Sequence, residues 1–345
     1  MKHVKRYQEL FESQIGLTKE QTEWLDKCTG EKLLISDGGK WNLNPQTGLV
    51  DVDGDFDCYS QDLTDFKGVR FGVVTGNFYC HHNRITSLEG APQSVGGGFY
   101  CLFNELTSLD GAPSRVEVNF NCRNNKLTSL KEAPKEVGLD FECDANQLTS
   151  LEGAPREVKG DFNCSVNKLT SLRDAPKKVG GSFNCSVNKL TSLRDAPQEV
   201  GENFECFSNE LTSLEHAPKQ VNGNFDCSVN NLTSLEHSPN RVGKILNFSF
   251  NQIVSLEQAP IYVGRYFVCR RNPVSESLLK ALYKKMQSGM SWPDAVASHW
   301  RYIRSEEDKI LLATSNSTFP DEIKDEIKDE IKGYQALAKL RKRML

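Results

Sequence analysis

The sequence predicts a repeat solenoid, with short parallel β-strands on its concave face, an extended or 3₁₀ back, and α-helices capping both ends. Three observations support this. A Phe position recurs every 21 residues from Phe78 to Phe267, with Leu246 in the one slot that lacks Phe. Cys follows two residues later and Asn three further on, and each copy approximates F-x-C-x-x-N-x-L-T-S-L-x-x-A-P-x-x-V-G. A fixed period of this length over many copies is typical of a solenoid.

Within one copy, the residue types predict the path of the chain. Phe and Cys, two apart in a strand, face the core together. The Asn closes the strand and is expected to bond to backbone groups of adjacent coils as a ladder. The two Leu and the Val return to the core, and the Pro fixes an extended or turn conformation between them. A copy of this length has no room for a long helix, so we expect an extended or 3₁₀ back.

The chain has eleven cysteines, and their placement decides how they are interpreted. Nine occupy the second position after the Phe in the regular copies, and Cys58 occupies it in the first coil. Successive coils would place these thiols about 5 Å apart, within reach of disulfides. A ladder of small, buried, reduced side chains is favoured, which indicates a cytoplasmic setting. Zinc is not indicated because no C-x-x-C pair occurs, and no cofactor is predicted.

The pattern divides the chain into three predicted regions. Residues 1–50 form an N-terminal cap that is first helical, with a capping box at 18–21, and then extended. Residues 51–274 form the solenoid of about eleven coils, which begins at Phe56 with a coil one residue longer than the rest. Residues 275–345 form a C-terminal helical cap. Its last helix, 321–344, carries Ile at every fourth position and is a candidate for self-association.

The segment from Asp51 to Cys58 alternates acidic and apolar residues. Its D-x-D-G-D resembles a calcium loop, but the Gly is misplaced and Asp62 stands where an EF-hand carries Glu. The alternation instead favours a strand with a solvated acidic face.

The repeat also resembles a known family. The run from Asn146 to Pro155, N-Q-L-T-S-L-E-G-A-P, is similar to leucine-rich repeats. Its Pro-containing back is most similar to the short repeats of secreted bacterial effectors, although Ala-Pro here replaces their Leu-Pro. The F-x-C variant resembles repeat proteins common in tailed phages and environmental bacteria. The resemblance covers roughly residues 40–275 and implies a fold rather than a partner.

No catalytic motif supports an enzyme. The sequence lacks a Walker loop, G-x-S-x-G and H-E-x-x-H. A ubiquitin-ligase domain of the kind that the resembling effectors carry would need a Cys nucleophile, and none follows Cys269. The run Cys80-His81-His82 is interpreted as an inward thiol beside a surface pair of histidines. The chain is therefore predicted to be non-enzymatic.

Composition narrows the partners. The formal net charge of −4 gives no global case for nucleic acid, which is an unlikely partner. No apolar run reaches membrane-spanning length and no secretory signal is seen, so the prediction is a cytoplasmic protein without membrane contact.

The concave strand face is the predicted binding site, since its outward positions are rich in aromatic residues and Arg, which dominate protein interfaces. The candidate partner-binding residues are Tyr59, Tyr79, His81, Tyr100, Leu102, Phe103, Arg123, Asp140, Glu142, Asp144, Phe207, Phe250, Arg270 and Arg271.

The leading hypothesis is a binding module for a protein partner, such as a phage-encoded factor that acts on a host protein. Three alternatives stay open: a structural or assembly part of a virion, an exported effector or adhesin, and nucleic acid binding through the basic C-terminal helix.

Overall fold

The structure, a computed structural model, describes residues 16–30, 38–254, 258–260, 262–269 and 271–273. In these residues there is one α-helix, α1 (Lys19–Thr29). The strands are β1 (Gly39–Leu43), β2 (Val50–Gly54), β3 (Phe56–Asp57), β4 (Phe71–Val74), β5 (Phe78–Tyr79), β6 (Ser94–Val95), β7 (Phe99–Tyr100), β8 (Arg115–Val116), β9 (Phe120–Asn121), β10 (Glu136–Val137), β11 (Phe141–Glu142), β12 (Glu157–Val158), β13 (Phe162–Asn163), β14 (Lys178–Val179), β15 (Phe183–Asn184), β16 (Glu199–Val200), β17 (Phe204–Glu205), β18 (Gln220–Val221), β19 (Phe225–Asp226), β20 (Arg241–Val242), β21 (Ile245–Asn247), β22 (Tyr262–Val263) and β23 (Tyr266–Val268).

The chain divides into two compact units, Met1–Leu190 with Arg194–Val200, and Thr191–Leu193 with Gly201–Leu345. In both units the strands form two rows. The front strands are β3 and every odd-numbered strand after it, and each contains a Phe slot. The back strands are β2 and every even-numbered strand after it, and each from β4 onward ends on a Val. The predicted solenoid of parallel strands is confirmed.

Front strands pair in parallel with Phe opposite Phe. In the first unit, Phe141 faces Phe120 on one side and Phe162 on the other. The Phe141 ring is tilted against that of Phe120 and stacked on that of Phe162, with centroids 5.2 and 5.5 Å away, and Phe141 is fully buried. Phe56 pairs with Phe78, 22 residues on, which confirms the longer first coil. In the second unit, β17 pairs with β19 and β19 with β21 in the same parallel way.

The back strands form a row that the sequence analysis did not predict. Val95, Val116 and Val137 are buried and lie opposite one another along β6, β8 and β10. The back is extended, as expected, and contains no 3₁₀ turn in the part of the chain that is described. Among the strands of the described residues, only β1 runs antiparallel, as a hairpin with β2 at the start of the row.

Helix α1 covers the apolar end of the first coil. The Thr18 hydroxyl accepts a hydrogen bond from the Gln21 backbone N–H (3.2 Å), and the Gln21 side chain accepts one from Thr18 N–H (2.8 Å), so the predicted capping box is present. Trp24 packs edge-on against Phe56 with ring centroids 5.4 Å apart. The predicted C-terminal helices, including 321–344, lie outside the described residues.

The predicted asparagine ladder is confirmed. The Asn125 amide donates to the carbonyls of Cys101 and Cys122, each at 3.0 Å, and its oxygen accepts from the Leu106 N–H at 3.0 Å. Because Cys101 and Leu106 belong to the preceding coil, one side chain joins two coils. Neighbouring copies repeat this pattern, for example at Asn104 and Asn146. A buried N–H without a partner costs about 1–3 kcal/mol, which explains why Asn recurs at this turn.

A second polar ladder, which the sequence analysis missed, lies one residue before each Phe. The Asp140 carboxylate accepts from the Asp161 N–H at 2.8 Å, and Asp161 accepts in turn from Ser182 N–H at 2.6 Å. Asn77 and Asn119 hold the same position and accept from the next coil in the same way. Where this position holds Asp or Asn, the ladder bonds the start of one front strand to the next; Gly98, which has no side chain, interrupts it.

The cysteines lie in the core, as predicted, and all eleven are free. Row thiols donate to a carbonyl of the following coil, as Cys143 does to Asn163 with sulfur and oxygen 3.3 Å apart. Burial raises the pKa of these thiols above the ordinary range, and raises that of Cys269 to about 12. The others so affected are Cys58, Cys80, Cys101, Cys122, Cys143, Cys164 and Cys227.

The acidic segment 51–57 falls in two strands, β2 and β3, which are separated by Asp55. The strand assignment is confirmed, but the expectation of a solvated acidic face is wrong at Asp57, which is buried. Asp51 accepts from the Val73 N–H at 2.8 Å and Asp57 from the Tyr59 N–H at 2.9 Å, so these carboxylates bond to backbone.

The residue before each ladder Asn adopts a left-handed backbone conformation. Examples are Phe103 (φ 51°), Asn124 (φ 51°) and Val166 (φ 53°). The full set is His82, Phe103, Asn124, Ala145, Val166 and Val187 in the first unit, and Ser208, Val229, Phe250 and Arg271 in the second; Ser60, before Gln61 in the first coil, has the same conformation. Asn tolerates this region, whereas a β-branched or bulky residue there is strained.

Replacing Val166 by Asn is therefore expected to stabilise the protein by about 1 kcal/mol, because Val166 is 39% exposed and gives up little packing. Urea unfolding followed by circular dichroism measures the gain. Val73→Asn is the matched control, since Val73 is 45% exposed but lies in β4 with ordinary backbone angles. An equal response of both variants would contradict the strain.

Candidate functional site

An aromatic cluster lies on the outward side of β5, β7 and the turns that follow them. Tyr79 and Tyr100 occupy the same register in adjacent coils, and their rings stack with centroids 5.0 Å apart. The His81 ring lies 4.7 Å from that of Tyr59 and 5.9 Å from that of Tyr79. All four side chains are half-buried, so each presents one surface to the exterior.

Local structure fixes the position of Tyr100. Its ring lies over Gly98, where a Cβ atom would come within 2.5 Å of a ring carbon. Burial raises the pKa of Tyr100; a hydrogen bond with Asn119 opposes the rise, and the charges of Asp140 and Asp55 add to it. The absence of a side chain at Gly98 thus leaves room for the Tyr100 ring against the sheet, and the hydrogen bond with Asn119 fixes its position.

A second aromatic stack borders the first. Phe103 is 40% exposed, and its ring stacks on that of His82 with centroids 4.4 Å apart. The Arg123 guanidinium lies over the other side, 5.7 Å from the ring centroid, within cation–π range. Leu102, the residue before Phe103, is half-buried. We define the aromatic cluster as Tyr59, Tyr79, His81, His82, Tyr100 and Phe103.

The next two coils carry charge. Arg123 Nε lies 3.8 Å from Asp144 Oδ2, and Asn121 donates to Glu142 Oε2 at 3.5 Å. Burial raises the pKa of Glu142, and Asp144 adds to the rise while Arg123 opposes it. Burial also raises the pKa of Asp144 against the effect of Arg123. For both carboxylates, the loss of solvation on burial raises the pKa by more than the positive charge of Arg123 lowers it.

Three buried polar atoms of this surface lack a hydrogen-bond partner: His81 Nδ1, Arg123 Nε and Asp144 Oδ1. Asp144 is only 7% exposed. Buried polar atoms in native proteins are nearly always satisfied, so orphaned ones call for an explanation. Burial lowers the pKa of His81 to about 4, with His82 contributing, so its imidazole is neutral at pH 7.

The other predicted site residues lie outside the aromatic cluster, and one of them has a structural role. Asp140 is a member of the ladder that precedes the Phe slots and bonds to backbone. In the second unit, Phe207 is half-buried, and Phe250 is 50% exposed with the Arg271 guanidinium 5.9 Å from its ring centroid. Arg270 lies outside the described residues.

Sequence reasoning found most of the aromatic cluster because outward strand positions alternate with buried ones. It did not include His82, although the position before the ladder Asn is outward in every described coil. It also treated Asp144 as an outward charge, whereas the side chain is buried among its neighbours.

Geometrically, the described chain is a solenoid of parallel strands whose front sheet carries these side chains. No family model matches the chain, and no curated protein matches it. Among solved structures, it is similar to YopM from Yersinia enterocolitica WA-314, at 19% identity and a TM-score of 0.39 over 60% of this chain and 59% of that one. It is also similar to the functional domain of InlJ from Listeria monocytogenes, which includes a cysteine ladder, at 23% identity and a TM-score of 0.40 over 64% of this chain. The chain thus spans 59% and 54% of the lengths of those two chains.

Within the residues described, no helix has the length and apolar character needed to cross a membrane.

Proposed function

We propose that the protein is a non-enzymatic interaction module that binds a protein partner on the front sheet of its first unit. The observation that carries the proposal is the aromatic cluster, in which six rings gather on the outward side of a sheet instead of in the core. Rigid aromatic side chains beside an Arg are the residues that contribute most to protein interfaces. Arg123 against Phe103 completes that combination.

The structure of this surface favours binding over catalysis. Its rings are held by stacking and by backbone fixed in two polar ladders, so a partner would meet a preorganised surface. The thiols, the strongest nucleophiles in the chain, lie in the core with raised pKa values and are not available to a substrate.

The setting of the proposed function is the cytoplasm of a bacterium. Eleven free thiols in one chain suit a reducing compartment. The similarity of the F-x-C repeats to those of tailed phages supports a phage-encoded factor that acts on a host protein. Assembly into a larger structure is the alternative, and light scattering of the purified protein separates the two, since an assembly subunit self-associates.

The test is capture of partners from bacterial lysate by the full-length protein. A variant with Tyr79, Tyr100 and Phe103 all replaced by Ala is expected to lose the specific partner, since each aromatic anchor contributes about 2 kcal/mol or more at an interface. Val73→Ala with Leu139→Ala is the matched control, because both residues are exposed and apolar but lie outside the cluster.

Retention of the same partner by the aromatic variant, with the control also unchanged, would place the binding site elsewhere. Both variants are first compared with the wild type by urea unfolding, so that loss of binding is not confused with loss of fold.

A further inference from the structure

The front sheet of the first unit carries a one-sided charge. Its outward positions hold six carboxylates and one guanidinium. The carboxylates are those of Asp55, Asp57, Asp140, Glu142, Asp144 and Asp161, and the guanidinium is that of Arg123. Asp140 accepts from the Asp161 N–H at 2.8 Å, and Asn121 donates to Glu142 at 3.5 Å. Arg123 Nε lies 3.8 Å from Asp144 Oδ2, so the charged groups from Arg123 to Asp161 lie on adjacent coils. The imbalance is therefore local to this surface, while the whole chain carries only −4.

The aromatic cluster lies beside this negative charge. Tyr79 and Tyr100 are stacked, and the coil before them carries Asp55 and Asp57 at outward positions. On the other side, the second coil after Tyr100 carries Asp140, Glu142 and Asp144. The negative faces of Tyr and Phe rings attract cations, and attract them more when nearby carboxylates add to the field and water is displaced. The existing contact of Arg123 with Phe103 shows that a guanidinium fits against these rings.

A buried acceptor provides an independent indication of a ligand. Asp144 Oδ1 is buried without a hydrogen-bond partner, and its other oxygen lies 3.8 Å from Arg123 Nε, which is also without one. A single guanidinium thus lies near two desolvated carboxylates, those of Asp144 and Glu142. A second cation that donates to Asp144 Oδ1 would satisfy the orphaned acceptor and balance Glu142.

We propose that the partner segment bound by this surface is basic, with Arg or Lys side chains that lie against Tyr79 and Tyr100 and donate to Asp144 and Glu142. This inference rests on the proposed function and specifies the chemistry of its partner. Nucleic acid is disfavoured because its phosphates would meet the carboxylates. A neutral glycan would stack on the aromatic rings, but it carries no positive charge to pair with the carboxylates.

The test measures fluorescence anisotropy with the full-length protein and three short labelled peptides, in which Ser alternates with Arg, with Glu or with Gly. Only the Arg peptide is expected to bind, and more weakly as salt is raised. The double variant Glu142→Gln/Asp144→Asn is expected to weaken its binding about tenfold or more. Glu136→Gln/Glu157→Gln removes the same charge from exposed positions in back strands and is expected to leave the affinity unchanged.

Reversal of one charge sharpens the test without disturbing the buried Asp144. Glu142→Lys is expected to abolish binding of the Arg peptide while its urea midpoint stays close to that of the wild type, because Glu142 is only half-buried.

Equal weakening by the front and back variants would show adsorption by net charge and overturn the proposal. So would a lack of any binding by the Arg peptide, or binding of a neutral oligosaccharide that the front variant does not alter. If the lysate partner is lost on removal of the aromatic rings but kept by Glu142→Gln/Asp144→Asn, the interaction module stands and the basic partner is wrong.

Discussion

Raising the pH from about 8 to about 10 is expected to destabilise the protein far more than a typical domain of its size. Eight row thiols have pKa values raised by burial, so they stay protonated when folded. In the unfolded chain they ionise near their ordinary pKa of about 8.5–9. Below that pH the thiols are protonated in both states and do not change the free energy of unfolding. Above it they ionise only in the unfolded chain, which favours the unfolded state. Each thiol then costs about 1.4 kcal/mol per pH unit, so the eight cost on the order of 10 kcal/mol per unit.

The measurement is the urea midpoint against pH, by circular dichroism under reducing conditions. Lys and Tyr also titrate in this window, and a variant isolates the thiols. Cys143→Ala/Cys164→Ala removes two of the eight, so the pH slope of the free energy of unfolding above about pH 9 is expected to fall by about 3 kcal/mol per pH unit. An unchanged slope would show that the buried thiols do not cause the alkaline loss of stability.

Truncation of one ring of the phenylalanine row is expected to be the most damaging single core substitution. Phe141→Ala should cost about 3–5 kcal/mol, since the ring is fully buried and contacts a ring in each adjacent coil. Urea unfolding measures the loss. Phe141→Leu should cost about 1–2 kcal/mol, because it removes less volume.

The protein itself supplies the control for this prediction. In one coil Leu246 fills the Phe slot and Phe248 fills the Cys slot, and both are fully buried. The aromatic ring has moved by two residues, and the volume of the coil is roughly conserved. Cys143→Phe alone should overpack the thiol row and cost about 1–3 kcal/mol.

The double variant Phe141→Leu/Cys143→Phe is therefore expected to be more stable than the sum of the two single changes predicts, by about 1 kcal/mol or more in a double-mutant cycle. Strict additivity would show that the swap in the natural coil is not a compensation between the two slots.

The fold could be predicted from the sequence because one rule, repeated many times, leaves few alternatives. Phe and Cys two residues apart specify a strand and its buried side, and the Asn at a fixed offset specifies the turn. The back strands were missed because each from β6 onward is two residues long with one Val in the core, too short to show a periodicity.

The candidate site was harder to predict for a related reason. Alternation identifies outward positions, but it does not reveal how deeply a neighbour covers them. Asp144 counts as outward by its position and is nevertheless buried. The ladder role of Asp140 was missed because it depends on a backbone N–H in the next coil, which no local pattern shows.

The asparagine ladder binds each coil to its neighbours through the same amide and backbone atoms in successive copies, and the second ladder and the thiol row add similar bonds in most coils. If unequal crossing-over added or removed one whole copy, the coils brought together would therefore form contacts that the protein already makes between its other coils. The run from 162 to 176 is repeated without a change at 183–197, as a recent tandem duplication would leave it. Lineages carrying this gene can thus lengthen or shorten the protein in steps of one copy while the end that carries the aromatic rings stays as it is.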